Sequence, residues 1–487
     1  MYPELEKPSD IFDMDNILQW RRATVVLLAS LILGMIAGSC INDDFSTSPS
    51  DVLSFSTDTV KFDTVVTLDG TATKQFVVYN RGKKQLRISD IHVEGIATGG
   101  HFNINVDGMR GTSFSDVEVR GGDSIFVFVE GYLDEAGSDD PTRILDRVSF
   151  TTNGMTQTVA LTAWGQDVIR VVSDTIKVST RWSSKKPYLI YDTLYVSPGV
   201  QLRLDPGVKL LFHDKAAIRV AGMMRAMGTQ EQPIVMRGDR LDHVVGDIDF
   251  DIMSGQWGGL IFPPSSSNNI LQYVDMHSSS IGIHVSTSNP NARSLYILNC
   301  VFHNSSSSLL TTGGAWVEAY GTEFSDAAAG LVNFIGGKIR MVNCTFANYY
   351  LFSAVSDPMV NLYLQDDGGV VPVLDASFDN CILHGNTREL NMPKLDDTNV
   401  YVHNCLFRSD GDDDSHFYNC VWKGDAKFYT VREDYLFDYR LHDDSDAAGK
   451  GDASLLPDAA RYDRYGTDRL GRSANPDLGA YAIVPGE

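Results

Sequence analysis

The chain has 487 residues, 43% of them hydrophobic, and a formal net charge of -23. Such a composition supports a sizeable core and excludes a disordered chain, and the length leaves room for two or three domains. A field of this sign repels phosphate backbones, which argues against nucleic acid as a partner; it suits solubility at a cell surface, divalent cations and neutral or cationic ligands.

The N-terminus reads in three parts. Arg21 and Arg22 form a short basic region, residues 23–39 (ATVVLLASLILGMIAGS) carry no charge, and Ala37-Gly38-Ser39 precede Cys40. Positive charge, apolar run and small-residue cleavage site are the order of a secretory signal. A cysteine directly after the small residues resembles the lipobox of bacterial lipoproteins, although Ala37 stands where Leu is commoner. The resemblance implies that residues 1–39 are a signal peptide and that Cys40 becomes the lipidated N-terminus, anchoring the protein to the membrane. Cleavage removes five acids (Glu4, Glu6, Asp10, Asp13, Asp15) and three bases (Lys7, Arg21, Arg22), leaving a mature charge near -21. The competing reading is a transmembrane anchor, for which an uncharged run of about 17 residues is at the short limit. Acids before Arg21 are unusual in a signal, and a start at Met14 would remove most of them. Asn42, Asp43 and Asp44 resemble the surface-export signals of some Gram-negative lipoproteins, so the expected location is the outer membrane, facing outward. Residues 40–50 suit a solvated tether.

Residues 51–168 alternate apolar and polar residues in short runs, such as Phe76-Val77-Val78-Tyr79 and Ile125-Phe126-Val127-Phe128-Val129, broken by Asn80-Arg81-Gly82, Gly121-Gly122-Asp123 and Thr152-Asn153-Gly154. About seven strands in this length predict an immunoglobulin-like β-sandwich. The stretch from Phe62-Asp63-Thr64-Val65 through Asn80-Arg81-Gly82 resembles the ASPM-SPD-2-Hydin class of such domains. That resemblance implies a fold and a spacer or adhesion role, not a reaction.

Near residue 186 the rhythm changes to very short strands separated by Gly or Pro corners, as in Val196-Ser197-Pro198-Gly199-Val200 and Leu204-Asp205-Pro206-Gly207-Val208. A long period then appears. Asn299-Cys300-Val301-Phe302 aligns with Gly321-Thr322-Glu323-Phe324, Asn343-Cys344-Thr345-Phe346, Asn380-Cys381-Ile382-Leu383 and Asn404-Cys405-Leu406-Phe407, and Tyr273-Val274-Asp275-Met276 fits one step earlier. Phe302, Phe324 and Phe346 are 22 residues apart. One coil of about 22–24 residues is therefore repeated, with an insertion after Phe346. Residues two apart in a strand share a face. The cysteines and Thr322 thus stack inside beside a ladder of Phe302, Phe324, Phe346, Leu383 and Phe407, while Glu323 is expected in solvent. Asn299, Asn343, Asn380 and Asn404 stack at a corner, where Asn tolerates turn backbone. Coils about 4.8 Å apart put Cys300 and Cys344 too far apart to bridge, while Cys381 and Cys405 fall on adjacent coils within bridging reach. Free, buried thiols are expected throughout.

This pattern resembles the right-handed parallel β-helix family. Trp257-Gly258-Gly259 looks like that family's WGG start of a coil. Asp468-Arg469-Leu470-Gly471-Arg472 with Asp477-Leu478-Gly479-Ala480-Tyr481 resembles the C-terminal cap of choice-of-anchor Q proteins, with Ala482 where Glu is common. The expected organisation is all-β: sandwich 51–168, β-helix 169–440 with nine to eleven coils, and cap 441–487.

Parallel β-helices that cleave acidic polysaccharides carry local signatures, and none of the polygalacturonase or pectate-lyase type is found. Three acidic clusters stand out. Asp247, Asp249 and Asp251 share a face if extended and are the candidate site for a metal cofactor, Ca²⁺; for this and the other two clusters a solvated acidic loop is the plainer reading. Asp366-Asp367-Gly368-Gly369 reads as a hairpin turn. Asp410, Asp412, Asp413 and Asp414 imitate the start of an EF-hand loop, but Ser415 and Val421 break it. Arg237-Gly238-Asp239 is too short a string to assign a role. His277, His303, His384 and His403 fall near repeat corners without a nearby nucleophile. Tyr349, Tyr350 and Tyr363, with Phe352, are the candidate glycan contacts, since aromatic faces stack on sugar rings; a hydrophobic plug is the plainer reading. The leading functional expectation is a non-catalytic surface binding or scaffolding module for glycans, with polysaccharide as ligand. The alternatives are a polysaccharide lyase or glycoside hydrolase acting on acidic polysaccharide, and a purely structural surface protein.

Overall fold

The computed structural model describes residues 44–484 and 486, except 246–247, 288, 367–368, 371–373, 394–397 and 431–433. The apolar segment, Cys40 and Asp247 lie outside the described residues. Among those described, no helix is long and apolar enough to cross a membrane.

The protein is all-β. Its first part holds two sheets of five and six strands. Alternating burial along Ser124–Leu133 and Thr142–Thr152 turns one side of each strand to a shared core that includes Phe76, Ile88, Phe102, Val127, Val148, Phe150 and Leu161. Counting short segments, eleven strands occur where about seven are read from the sequence. Pairing is antiparallel except that Thr59–Val66 runs parallel to Met155–Gln166.

From Ile169 the chain winds through three long parallel sheets of ten, nine and ten strands, the arrangement of a parallel β-helix. We call them the first, second and third sheets in the order one coil meets them. The first runs from Ile169–Val172 to Leu406–Phe407, the second from Thr175–Ile176 to Leu390–Asn391, and the third from Thr180–Trp182 to Phe417–Tyr418. The coil phase is as the period predicts: Phe302, Phe324, Phe346, Leu383 and Phe407 are successive register partners and all are buried. Phe324 lies 5.5 Å from Phe302 and 5.2 Å from Phe346, ring to ring. Cys300, Cys344, Cys381 and Cys405 are free and buried beside this ladder. Trp257 starts its coil by stacking on Phe212 at 3.9 Å and donating its indole N–H to the His277 carbonyl.

The corner between third and first sheets is one residue in the left-handed region, filled by Asn299, Asn343, Asn380 and Asn404 with φ of 50–54°. Asn bears this conformation because its side chain bonds locally. Here those side chains also seat the last segment of the chain. Asn299 donates to the Tyr462 carbonyl, Asn343 to that of Asp477, Asn380 to that of Asp452 and Asn404 to that of Lys450. Arg469, fully buried, binds the segment to itself by donating to the carbonyls of Ala460, Gly479 and Ala480. Gly479 has a φ of +86°, and a Cβ there would meet Thr345 Oγ1 at 2.6 Å.

Candidate functional site

The outward face of the first sheet is covered at both ends. Leu189 and Leu211 pack against Val66 and Val168 of the N-terminal part. Ile382 and Leu406 lie under Ala426, Leu441, Leu478 and Ile483, and Ala347 lies under Tyr439, Ala480 and Tyr481. Three rows between these covers line a cleft of about 750 Å³: Asp275 and His277, then Val301 and His303, then Glu323 and Ser325. Its walls come from the insertion around Asp251, from Tyr350 and Phe352, and from the C-terminal segment with Tyr435, Arg464 and Tyr465.

Strand register sets the floor. His277 and His303 are partners on adjacent coils, their rings stacked with centroids 4.8 Å apart. Asp275, two residues before His277, shares its face. Asp275 Oδ1 is 3.5 Å from His303 Nε2, and Arg464 donates to Oδ2 at 3.2 Å. Burial opposes charge on Asp275, but His303, His277 and Arg464 outweigh it and hold the carboxyl well below the usual carboxylate range. Burial and the neighbouring His303 depress His277 to about 3, so its imidazole is neutral. Burial also acts against charge on His303, yet Asp275 together with Glu323 and Asp326 raises its pKa.

Behind this row stand two protected carboxyls. Glu323 is buried, accepting from the Ser325 hydroxyl and from the Tyr481 hydroxyl, each at 2.5 Å. Its expected place in solvent is thus corrected. The side chain does leave the core, as the alternation requires, but Tyr481 of the C-terminal segment covers it. Burial raises its pKa, more than the two hydroxyl bonds lower it. Asp326 accepts from the Tyr439 hydroxyl at 2.6 Å and the Tyr349 N–H at 2.9 Å. Burial nevertheless raises it to about 6.

The residues singled out by sequence separate. Tyr350 lines the cleft, its hydroxyl 2.7 Å from Ser254 Oγ. Tyr349 lies beneath, its hydroxyl 2.5 Å from His384 Nδ1. Tyr363 is half-exposed at the end of a second-sheet strand, away from the cleft floor. Asp249 and Asp251 are not on one extended strand, because a short 3-10 turn, Phe250–Ile252, intervenes. Asp249 faces His243 Nε2 at 3.0 Å and Asp251 faces an Arg237 guanidinium N–H at 3.1 Å. Asp366 and Gly369 pair as the two arms of a hairpin. Asp413 and Asp414 accept nearby backbone N–H groups rather than forming an ion loop. Sequence reasoning missed the cleft floor, although its signal was present: His277 and His303 occupy the same coil position, and Asp275 lies two residues before His277.

No family model matches this sequence, and no curated protein matches it. Among solved structures, one similar chain is a family 123 glycoside hydrolase from Clostridium perfringens, studied for glycolipid glycan hydrolysis. The likeness has a TM-score of 0.17 at 7% identity and covers 23% of this chain and 25% of that one. At that level it carries no argument about fold or function.

Proposed function

We propose that this protein is an exported lipoprotein of the bacterial outer membrane, anchored at Cys40, whose right-handed β-helix binds a glycan in the cleft. The immunoglobulin-like sandwich acts as its spacer. The observation that carries the glycan reading is the composition of the cleft: a polar floor of Asp275, His277 and His303 under a rim with half-exposed Phe352, Tyr435 and Tyr465. Sugars need both, hydrogen-bonding groups for hydroxyls and apolar faces for stacking. With Asp249, Asp251, Asp275, Asp434 and Asp438 on its lining, the cleft favours a neutral or amino-substituted chain over a polyuronate.

Hydrolysis is the second reading. It is favoured by Asp326, raised by burial to about 6, since a carboxyl protonated near neutral pH is what a general acid needs; burial raises Glu323 as well. Both carboxyls are held by tyrosines of the C-terminal segment, which ranks binding above turnover.

A glycan array probed with the mature chain, with and without Ca²⁺, tests both. Retention of one glycan class is expected, weakened by about 1–2 kcal/mol in Tyr350→Ala, the size of an ordinary contact residue. Retention unchanged in both Tyr350→Ala and Asp275→Ala would remove the cleft from the reading. New reducing ends from a retained glycan would promote hydrolysis to first place.

A further inference from the structure

We propose that Asp275, His277 and His303 form a binding site for one divalent transition-metal ion, of the borderline class that takes imidazole and carboxylate ligands. Ligand atoms from these three side chains all lie within 4.8 Å of one another, and among the described residues no other group of this kind occurs. Two imidazoles and one carboxylate, bound once His303 has released its proton, are a donor set of catalytic zinc and related ions, leaving a position open.

Three further observations point to an ion. The first is spacing. Asp275 Oδ1 and His303 Nε2 are 3.5 Å apart. Two ligands each about 2.1 Å from a tetrahedral zinc would be separated by about that distance. His277, within 4.8 Å of both, can close on the same point by a swing about its broad outer torsion. The second is an unmet acceptor. Asp275 Oδ1 is buried and makes no hydrogen bond; the His303 nitrogen beside it is at ion-pair range only. A buried carboxylate oxygen without a hydrogen bond needs a cation close by; a protonated His303 meets it at 3.5 Å, and a metal ion that takes that proton's place meets it more closely. The third is orientation. Arg464 holds the other oxygen, Oδ2, and so aims Oδ1 at the two histidines, as outer partners of metal ligands do. The guanidinium repels a second cation, but Asp249 and Asp251 line the same cleft and offset it.

The ion's open position would face the cleft, where water or a sugar hydroxyl would complete it. The proposal does not depend on the glycan reading, because metal binding is measured with no glycan present.

The test is titration of the metal-free mature chain with Zn²⁺ by calorimetry, with bound metal counted by mass spectrometry. Co²⁺ serves as a second probe through the visible bands of a low-coordinate ion. One equivalent is expected. Loss of a ligand costs about a hundredfold or more in affinity, given that even outer partners cost 10–100-fold. His277→Ala is the cleanest variant, since among the described residues its imidazole has one hydrogen-bond contact, Ser278 Oγ at 3.0 Å, besides the stack on His303; circular dichroism checks that it stays folded. His284→Ala, on the second sheet, is the control and should bind normally. Equal affinity in wild-type, His277→Ala and Asp275→Asn, or no stoichiometric binding by the wild-type chain, would overturn the proposal.

Discussion

Phe324 and Glu323 are adjacent residues that meet opposite environments for one geometric reason, the two-residue alternation of a strand. Phe324→Ala opens a cavity between two rings and should cost about 3–5 kcal/mol in urea unfolding. Glu323→Ala, which a solvent-facing position would tolerate within about 0.5 kcal/mol, should instead cost about 1–3 kcal/mol, because the Tyr481 hydroxyl loses its buried acceptor. Glu323→Gln keeps an acceptor and should cost less than Glu323→Ala. Asp326 adds a pH dependence. Its pKa is about 6 when folded, against 3.8 for the ordinary group. Below pH of about 4 its contribution to stability is fully present, and it is lost as pH rises through about 6. His277 works in the opposite direction: depressed from 6.5 to about 3, it weakens the fold as pH falls below 6.5. The informative quantity is therefore the wild-type curve minus that of Asp326→Asn. That difference should fall by about 2–3 kcal/mol between pH 4 and 7, and a flat difference would show that Asp326 titrates normally.

At the scale of an element, the Asn corner serves two purposes. Its backbone makes the turn from third to first sheet in one residue, and its side chain seats the C-terminal segment. Asn380 shows both: φ is 54°, its amide donates to the Asp452 carbonyl and to Asn343 Oδ1, and its oxygen accepts the Asp452 N–H. Asn380→Ala should lose about 2–4 kcal/mol from left-handed strain and broken hydrogen bonds together. Asn380→Gly removes the strain alone and should recover about 1 kcal/mol of it. Hydrogen exchange should quicken in both variants at Gly451, whose N–H bonds the Pro476 carbonyl. Equal stability of the Ala and Gly variants would deny the strain component.

For the whole molecule, the covering of one sheet face explains where the cleft is. The N-terminal part and the C-terminal segment each bury apolar residues on that face, and the mostly polar rows between them line the cleft. Contacts at the junction include the Arg170 guanidinium with the Thr67 carbonyl and His243 with Asp63 at 2.8 Å. The proposed lipid anchor is tested at Cys40. Cys40→Ala should abolish fatty-acid labelling and release or mislocalise the protein; persistence of the full N-terminus in a membrane-bound variant would favour the transmembrane reading.

The sequence by itself determined the coil. A period of 22 residues places Phe302, Phe324 and Phe346, the cysteines and the Asn corners, because in a parallel stack each residue sits on its own repeat. Buried, free thiols followed from the same phase, and burial pushes Cys300 up to about 12. The strand alternation also told which residues leave the core. Only the tertiary structure decided which of those reach water. Glu323 and His303 both point outward and line the cleft, yet Tyr481 buries Glu323 while His303 stays half-buried. Asp275 meets Arg464 across 189 positions of chain, a separation that no local motif spans. Asp249 and Asp251 failed as one extended face because a 3-10 turn and two basic partners redirect them. The physical reason is common to all three. Periodicity fixes the direction of a side chain relative to its own strand, whereas its solvent, charge and partners are set by whatever segment folds back over that strand.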